Sequence, residues 1–168
     1  MRKGSDGELR VGQILADLPD NFWVVHGLNT SFGDLDHIVI GPTGVYILDS
    51  KNWRGVVAAS RDGEILLNGN ATDKPTIGPL VARVMGVRDK IRTLCGFEPP
   101  FFQVVLVFTS AWVDAGWGET GKALCVTDYK LAELIVENQK SRSLDGKQID
   151  SIARAFQALA SMDKQVSR

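Results

Sequence analysis

The segment from Gly33 to Gly55, GDLDHIVIGPTGVYILDSKNWRG, constrains the fold more than any other part of the chain. It contains two apolar runs, residues 35–40 and 45–48, on either side of the break GPTG. Proline and glycine in so short a break indicate a tight turn between two strands. The segment therefore predicts a β-hairpin.

The hairpin prediction fixes which residues face one another. If Pro42 and Thr43 are the central turn residues, Asp36 lies directly opposite Asp49, and their side chains point to the same face. Because side chains alternate along a strand, this face also carries Asp34, Lys51 and the apolar residues nearer the turn, Ile38, Ile40, Val45 and Ile47. We expect a face that is apolar near the turn and charged at the open end.

Two carboxylates that face each other across a hairpin repel, so the charged end needs an explanation. A bound divalent cation would remove the repulsion. A solvated cluster in which Lys51 alone neutralises the carboxylates would serve a purely structural role, and the spacing leaves both interpretations open. By the same alternation His37 should face away from Asp36, which predicts a structural histidine.

Composition limits the possible classes of protein. The chain has 168 residues, 44% of them hydrophobic and 23% charged, which is typical of one globular domain spanning residues 1–168. The formal net charge of -1 gives no general attraction to nucleic acid or to anionic membranes, so any polyanion must meet clustered basic residues. Cys95 and Cys125 form no zinc pattern, and no signal peptide or membrane span is evident. We therefore expect a cytoplasmic protein without membrane contact.

Apolar periodicity predicts the other elements. Helices are expected at residues 5–18, 77–94, 128–138 and about 145–162, and strands at residues 22–28, 56–59, 64–67, 101–109 and 123–127. Ser5 or Asp6 would cap the first helix with Glu8 in a capping box. Residues 56–67 would continue the hairpin as an antiparallel meander. The order predicts an α/β or α+β fold with a central mixed β-sheet flanked by helices.

The motif Asp36, twelve intervening residues, then Asp49-Ser50-Lys51 resembles the D…(D/E)xK signature of the PD-(D/E)xK nuclease superfamily. Together with Gly7-Glu8 on an early helix, the run DHIVIGPTGVYILDSKNWRG resembles the nuclease-related domain family, NERD, most strongly over residues 4–58. This resemblance implies a restriction-endonuclease-like core. At the position of Asp49 the family usually has the longer glutamate.

The resemblance also implies a role for each matching residue. Asp36 and Asp49 would hold Mg²⁺ or Mn²⁺ as hard oxygen ligands, helped by the backbone carbonyl of Ser50. Glu8 would reach the metal from the first helix as a direct or outer ligand. Lys51 would orient or deprotonate the attacking water, or stabilise charge on the phosphate.

The implied activity is metal-dependent hydrolysis of phosphodiester bonds in nucleic acid, with DNA processing or repair as the expected context. Asn52 and Arg54 directly follow the motif and would either contact the nucleic-acid backbone or pack at the start of the next strand. Two alternatives stay open. One is a nucleic-acid-binding module that kept the fold without turnover, and the other is a protein-interaction domain that uses the loop bearing Trp112 and Trp117.

Overall fold

The computed structural model describes residues 2–114, 123–139 and 143–166. Four α-helices are present in these ranges, α1 (Arg2–Ala16), α2 (Ile77–Cys95), α3 (Leu131–Glu137) and α4 (Gly146–Val166), and a short 3-10 helix (Asp128–Lys130) precedes α3. The strands are β1 (Trp23–Thr30), β2 (Gly33–Gly41), β3 (Gly44–Lys51), β4 (Gly55–Ala59), β5 (Ile65–Leu67), β6 (Asn70–Ala71), β7 (Phe102–Phe108), β8 (Ala111–Val113) and β9 (Ala123–Thr127). The expected loop residue Trp117 lies outside the described residues.

The strands form two sheets. The larger one has the order β1-β2-β3-β7-β9, antiparallel from β1 to β3 and parallel from β3 to β9. The smaller one has the order β6-β5-β4-β8. The fold is therefore α+β with a central mixed sheet flanked by helices, as the sequence predicted.

The two faces of the central sheet are covered by different helices. On one face the core includes Ile38, Ile47 and Leu106 and is closed by α2 and α4. On the other face Val39 and Val105 pack in the core that α1 and α3 cover. Strand β7 lies between two parallel neighbours and is buried along most of its length, which confirms its predicted central position.

The hairpin of β2 and β3 has the predicted register, with Gly41 opposite Gly44 and His37 opposite Leu48. Its closed end is tied to α3. Thr43 Oγ1 donates a hydrogen bond to the Ile135 carbonyl at 2.6 Å, and the backbone N–H of Leu144 donates to the Pro42 carbonyl at 3.1 Å. The turn is thus fixed, and the charged end of the hairpin lies at the opposite end of the two strands.

The regular alternation along β2 breaks just before Asp36. In a regular strand Leu35 and Ile38, which are an odd number of positions apart, would face opposite sides of the sheet. Here Leu28 and Leu35 pack in the same core as Ile38. Gly27, with φ of 65°, stands opposite Asp36 and interrupts the β1–β2 ladder there. The prediction that Asp34 shares the face of Asp36 is therefore wrong, and the Asp34 side chain is exposed.

Two other predictions are also wrong. Helix α1 begins at Arg2, so Ser5 and Asp6 lie inside the helix rather than at its N-cap, and the capping box with Glu8 does not form. Strand β4 does not continue the meander, because it leaves the central sheet and pairs in parallel with β8. The antiparallel pairing of β4 with β5 is as predicted. No helix in the described ranges is both long and apolar enough to cross a lipid bilayer.

Helix α2 is capped by a residue from another element. Glu64, just before β5, accepts hydrogen bonds from the backbone N–H groups of Thr76, Ile77 and Gly78 at 2.8, 3.0 and 2.8 Å. Burial opposes ionisation of Glu64, but these N–H donors outweigh it and hold the pKa of Glu64 below its usual value. The carboxylate satisfies backbone donors that a helix N-terminus otherwise leaves unpaired.

We expect Glu64→Ala to lower the free energy of unfolding by about 1 kcal/mol at neutral pH, because the first turn of α2 loses its acceptors. Since the folded-state pKa is lowered, this stabilisation is present above the ordinary glutamate pKa of 4.5 and is lost as the pH falls through the folded value. Urea unfolding at neutral and acidic pH measures both effects. Asp89→Ala, an exposed site on the same helix, serves as the control, and an equal loss in both variants would contradict the capping role.

Candidate active site

The charged end of the hairpin brings Asp36, Asp49 and Lys51 together. Asp49 and Lys51 lie at the end of β3, paired with Leu106 and Phe108 of β7. Lys51 Nζ is 3.0 Å from Asp49 Oδ2. The register that sets His37 opposite Leu48 places Asp36 opposite Asp49, and Asp36 is close enough to contribute to the raised pKa of Asp49.

Asp36 is held in place by Ser50. The Ser50 backbone N–H and side-chain Oγ both donate to Asp36 Oδ2, at 3.0 and 3.2 Å. Two donors on one oxygen fix the orientation of the carboxylate. Ser50 therefore has a clear role through its donors, and the ligand role of its carbonyl stays a prediction.

Glu8 approaches the same end of the sheet from α1. The preceding residue, Gly7, is buried and packs against Asn52 and Thr109, which follow β3 and β7. This contact places the N-terminal part of α1 beside the strand ends. Glu8 is largely exposed to solvent. Its pKa is raised, first by the partial burial of its carboxyl group and then by the negative charges of Asp36 and Asp49.

The pKa of Asp49 is also raised. Burial is the largest cause; the Lys51 ammonium acts against it, and the neighbouring Asp36 adds to it. Asp49 keeps a raised pKa even with a lysine at 3.0 Å, so Lys51 does not offset the combined effect of burial and of the neighbouring Asp36. The purely structural salt-bridge interpretation therefore leaves an uncompensated cost.

The donor set suits a hard divalent cation. Among the described residues no three histidine, cysteine or acidic side chains converge closely enough to enclose a metal ion. Mg²⁺, however, is commonly bound through one or two carboxylates, with water completing its octahedral shell. Asp36 and Asp49 supply such a pair, and Glu8 lies near enough for both of their charges to contribute to its raised pKa.

The residues after the motif have different environments. Asn52 Oδ1 accepts hydrogen bonds from Thr109 Oγ1, at 3.0 Å, and from Ser110 Oγ, so this side chain joins the ends of β3 and β7. Trp53 packs on Phe108 with ring centroids 5.8 Å apart, and its ring lies 5.6 Å from Lys51 Nζ. Arg54 is exposed to solvent. The predicted nucleic-acid contacts of Asn52 and Arg54 stay predictions.

His37 does not join the acidic cluster. It is buried against α1, with its Nδ1 atom 2.9 Å from His26 Nδ1 and its ring close to Gly12. Burial, and then the proximity of His26, lower the pKa of His37. The prediction that His37 packs away from Asp36 is confirmed.

A cleft of about 550 Å³ opens beside Asp49 and Lys51. Its far wall is the loop of residues 72–76 and the start of α2, and it includes two basic residues, Lys74 and Arg83. Neither Lys74 nor Arg83 is among the site residues predicted from the sequence. A larger cavity of about 760 Å³ lies between β9 and α3, but it is remote from the motif and includes Glu133 and Glu137, so the smaller cleft is the candidate site.

A central mixed sheet with flanking helices, together with a carboxylate on β2 that faces an aspartate and a lysine at the end of β3, defines the restriction-endonuclease-like class. The sequence profile of the nuclease-related domain family matches residues 3–109, and the chain belongs to this family. The match covers α1 and every strand through β7, and so includes Glu8, Asp36, Asp49 and Lys51.

Other comparisons extend less far. An uncharacterized protein of Bacillus anthracis is 39% identical over 64 residues, which covers 34% of this chain and 30% of that protein. The chain therefore spans less than a third of this relative. No solved structure matches the chain.

In metal-free protein at neutral pH, we expect Asp49→Asn to raise the free energy of unfolding by up to about 1 kcal/mol. The asparagine removes one of two facing charges and can still donate a hydrogen bond to Asp36. Because the folded-state pKa of Asp49 is raised, the wild-type penalty is absent below the ordinary value of 3.8 and grows as the pH rises through the folded value.

Thermal or urea unfolding in EDTA between acidic and neutral pH measures this difference. Asp89→Asn, which neutralises an exposed carboxylate on α2, is the control. Its free energy of unfolding relative to wild type should stay constant over the pH range in which Asp49 titrates. A less stable Asp49→Asn protein at neutral pH would show that the Lys51 ion pair outweighs the repulsion from Asp36.

Proposed function

We propose that this chain is a metal-dependent nuclease domain that hydrolyses phosphodiester bonds of nucleic acid, with DNA as the expected substrate. The observation that carries the proposal is the pair of facing carboxylates, Asp36 and Asp49, with Lys51 Nζ at 3.0 Å from Asp49 on the wall of an open cleft. Membership of the nuclease-related domain family supports the same chemistry.

Mg²⁺ or Mn²⁺ bound by Asp36 and Asp49 would polarise the phosphate and lower the pKa of a coordinated water. Ser50 contributes by fixing Asp36 through two hydrogen bonds, so the Asp36 carboxylate is already oriented for metal binding before the substrate arrives. Glu8 adds a carboxylate from α1, and its pKa is raised by partial burial and then by the negative charges of Asp36 and Asp49.

Lys51 supplies the positive side chain nearest the acidic pair. Its ammonium is held between Asp49 and the face of Trp53, so it is positioned at the cleft and partly shielded from water. From there it can donate a hydrogen bond to a phosphate oxygen and stabilise the charge that develops as the P–O bond breaks. In its neutral form it can accept the proton of the attacking water.

The test is cleavage of labelled DNA and RNA, in single-stranded and duplex form, with Mg²⁺, Mn²⁺ or EDTA. We expect cleavage only with the metals, loss of detectable cleavage in Asp36→Ala and Asp49→Ala, and a fall of about 100-fold to 1000-fold in Lys51→Ala. Asp89→Ala is the matched control and should cut at the wild-type rate.

Metal binding is measured separately, as a rise in melting temperature on titration with Mn²⁺. Wild-type protein should show the rise and Asp49→Ala should not. Metal-independent cleavage, or wild-type cleavage by Asp49→Ala, would overturn the nuclease proposal. Nucleic acid that is bound but never cut would instead identify a binding module, and the absence of both binding and cutting would favour a protein-interaction domain.

A further inference from the structure

The cleft beside the candidate site has a basic wall opposite Asp49 and Lys51. Lys74, in the loop before α2, is exposed to solvent, and Arg83 lies two turns into α2 on the same side. The charged side chains that line the cleft are Lys51, Lys74, Arg83, Asp49 and Asp73. Because Lys51 is paired with Asp49, the remaining charged side chains that line the cleft are two basic ones, Lys74 and Arg83, and one acidic one, Asp73.

Arg83 is held in a defined position rather than projecting freely into solvent. Its Nη1 donates a hydrogen bond to the Asp34 carbonyl at 2.9 Å. Its Nε packs over Gly33, where a Cβ atom would lie only 2.5 Å away and where φ is 127°. Glycine at position 33 therefore makes room for the guanidinium at the start of β2.

This arrangement leaves donors of Arg83 for a ligand. Within the described residues its only hydrogen bond is the one from Nη1 to the Asp34 carbonyl, so the Nη2 donors stay available, whereas Nε is buried over Gly33 and has no partner. A guanidinium whose orientation is already fixed loses little side-chain entropy when it binds an anion, and its planar fork matches the oxygens of a phosphate.

The N-terminus of α2 does not supply this attraction. Helix N-termini are common anion sites, but the first N–H groups of α2 already donate to the carboxylate of Glu64. Any anion in the cleft must therefore be attracted by side chains, and Lys74 and Arg83 are those on the wall facing the acidic pair.

We propose that Lys74 and Arg83 form a binding site for the phosphodiester backbone of the nucleic acid, across the cleft from Asp36 and Asp49. The proposal rests on the proposed function, because it places the same substrate in the same cleft. Both residues would contact phosphates rather than bases, so they would add affinity and fix the position of the strand without selecting a sequence.

The experiment measures binding of fluorescently labelled single-stranded and duplex DNA in EDTA, where metal-dependent hydrolysis is switched off, over a series of salt concentrations. We expect Lys74→Ala and Arg83→Gln each to weaken binding by a similar factor for unrelated sequences. Each should also reduce the slope of log affinity against log salt by about 1, and the double variant by about 2.

Lys90→Ala and Arg92→Gln are the matched controls, because they remove the same charges from exposed positions of α2 outside the cleft. The control double variant should keep the wild-type slope. Arg83→Lys should recover the slope lost in Arg83→Gln, because it restores the charge. A purely structural role for Arg83 would instead lower the melting temperature and leave the salt slope unchanged.

An unchanged slope in the Lys74/Arg83 double variant, or a loss equal to that of the Lys90/Arg92 double variant, overturns the binding site. The absence of DNA binding by the wild-type protein overturns it as well. Stabilisation by Mn²⁺ in the Lys74/Arg83 variant separates the two proposals, because it tests the acidic pair without nucleic acid and should match wild type.

Discussion

The register between β2 and β3 is the constraint on which the site depends. Side chains change face at every residue of a strand, so a shift of one position in this pairing would move Asp36 away from Asp49. The GPTG turn sets the register, and the anchoring of Thr43 to α3 holds the closed end. Strand β3 also pairs in parallel with β7, and this pairing holds the end that carries Asp49 and Lys51 beyond the last β2–β3 pair.

This construction places like charges together in a partly buried position. Burial and Asp36 raise the pKa of Asp49, and the same two carboxylates raise the pKa of Glu8. Ser50 and Lys51 reduce the cost but do not remove it. Proteins commonly keep such unfavourable arrangements where a ligand offsets them, and the energetic argument therefore points in the same direction as the family match.

Local patterns made the hairpin and its facing acids predictable from sequence. The turn, the apolar alternation and the residue spacing lie within a short segment and specify its pairing without help from the rest of the chain. Helix α2 and strand β7 were also predictable, because their apolar patterns are long and unambiguous.

The errors arose where distant contacts decide the structure. Helix α1 extends past Ser5 and packs its Gly7 on the ends of β3 and β7, which no capping signal reveals. Asp34 was misplaced because a left-handed glycine in the neighbouring strand interrupts the ladder. Arg83 resembles an ordinary solvated helix residue until Gly33 is brought beneath it, and the parallel partner of β4 lies more than fifty residues further along the chain.

The cap supplied by Glu64 has a mechanical consequence. The residue sits just before β5 in the small sheet, yet its carboxylate holds the first turn of α2, which forms part of the cleft wall. The small sheet and that wall are therefore linked by hydrogen bonds across the intervening loop. An outward movement of the wall must either move the start of β5 as well or break these hydrogen bonds. The small sheet therefore restrains opening of the cleft.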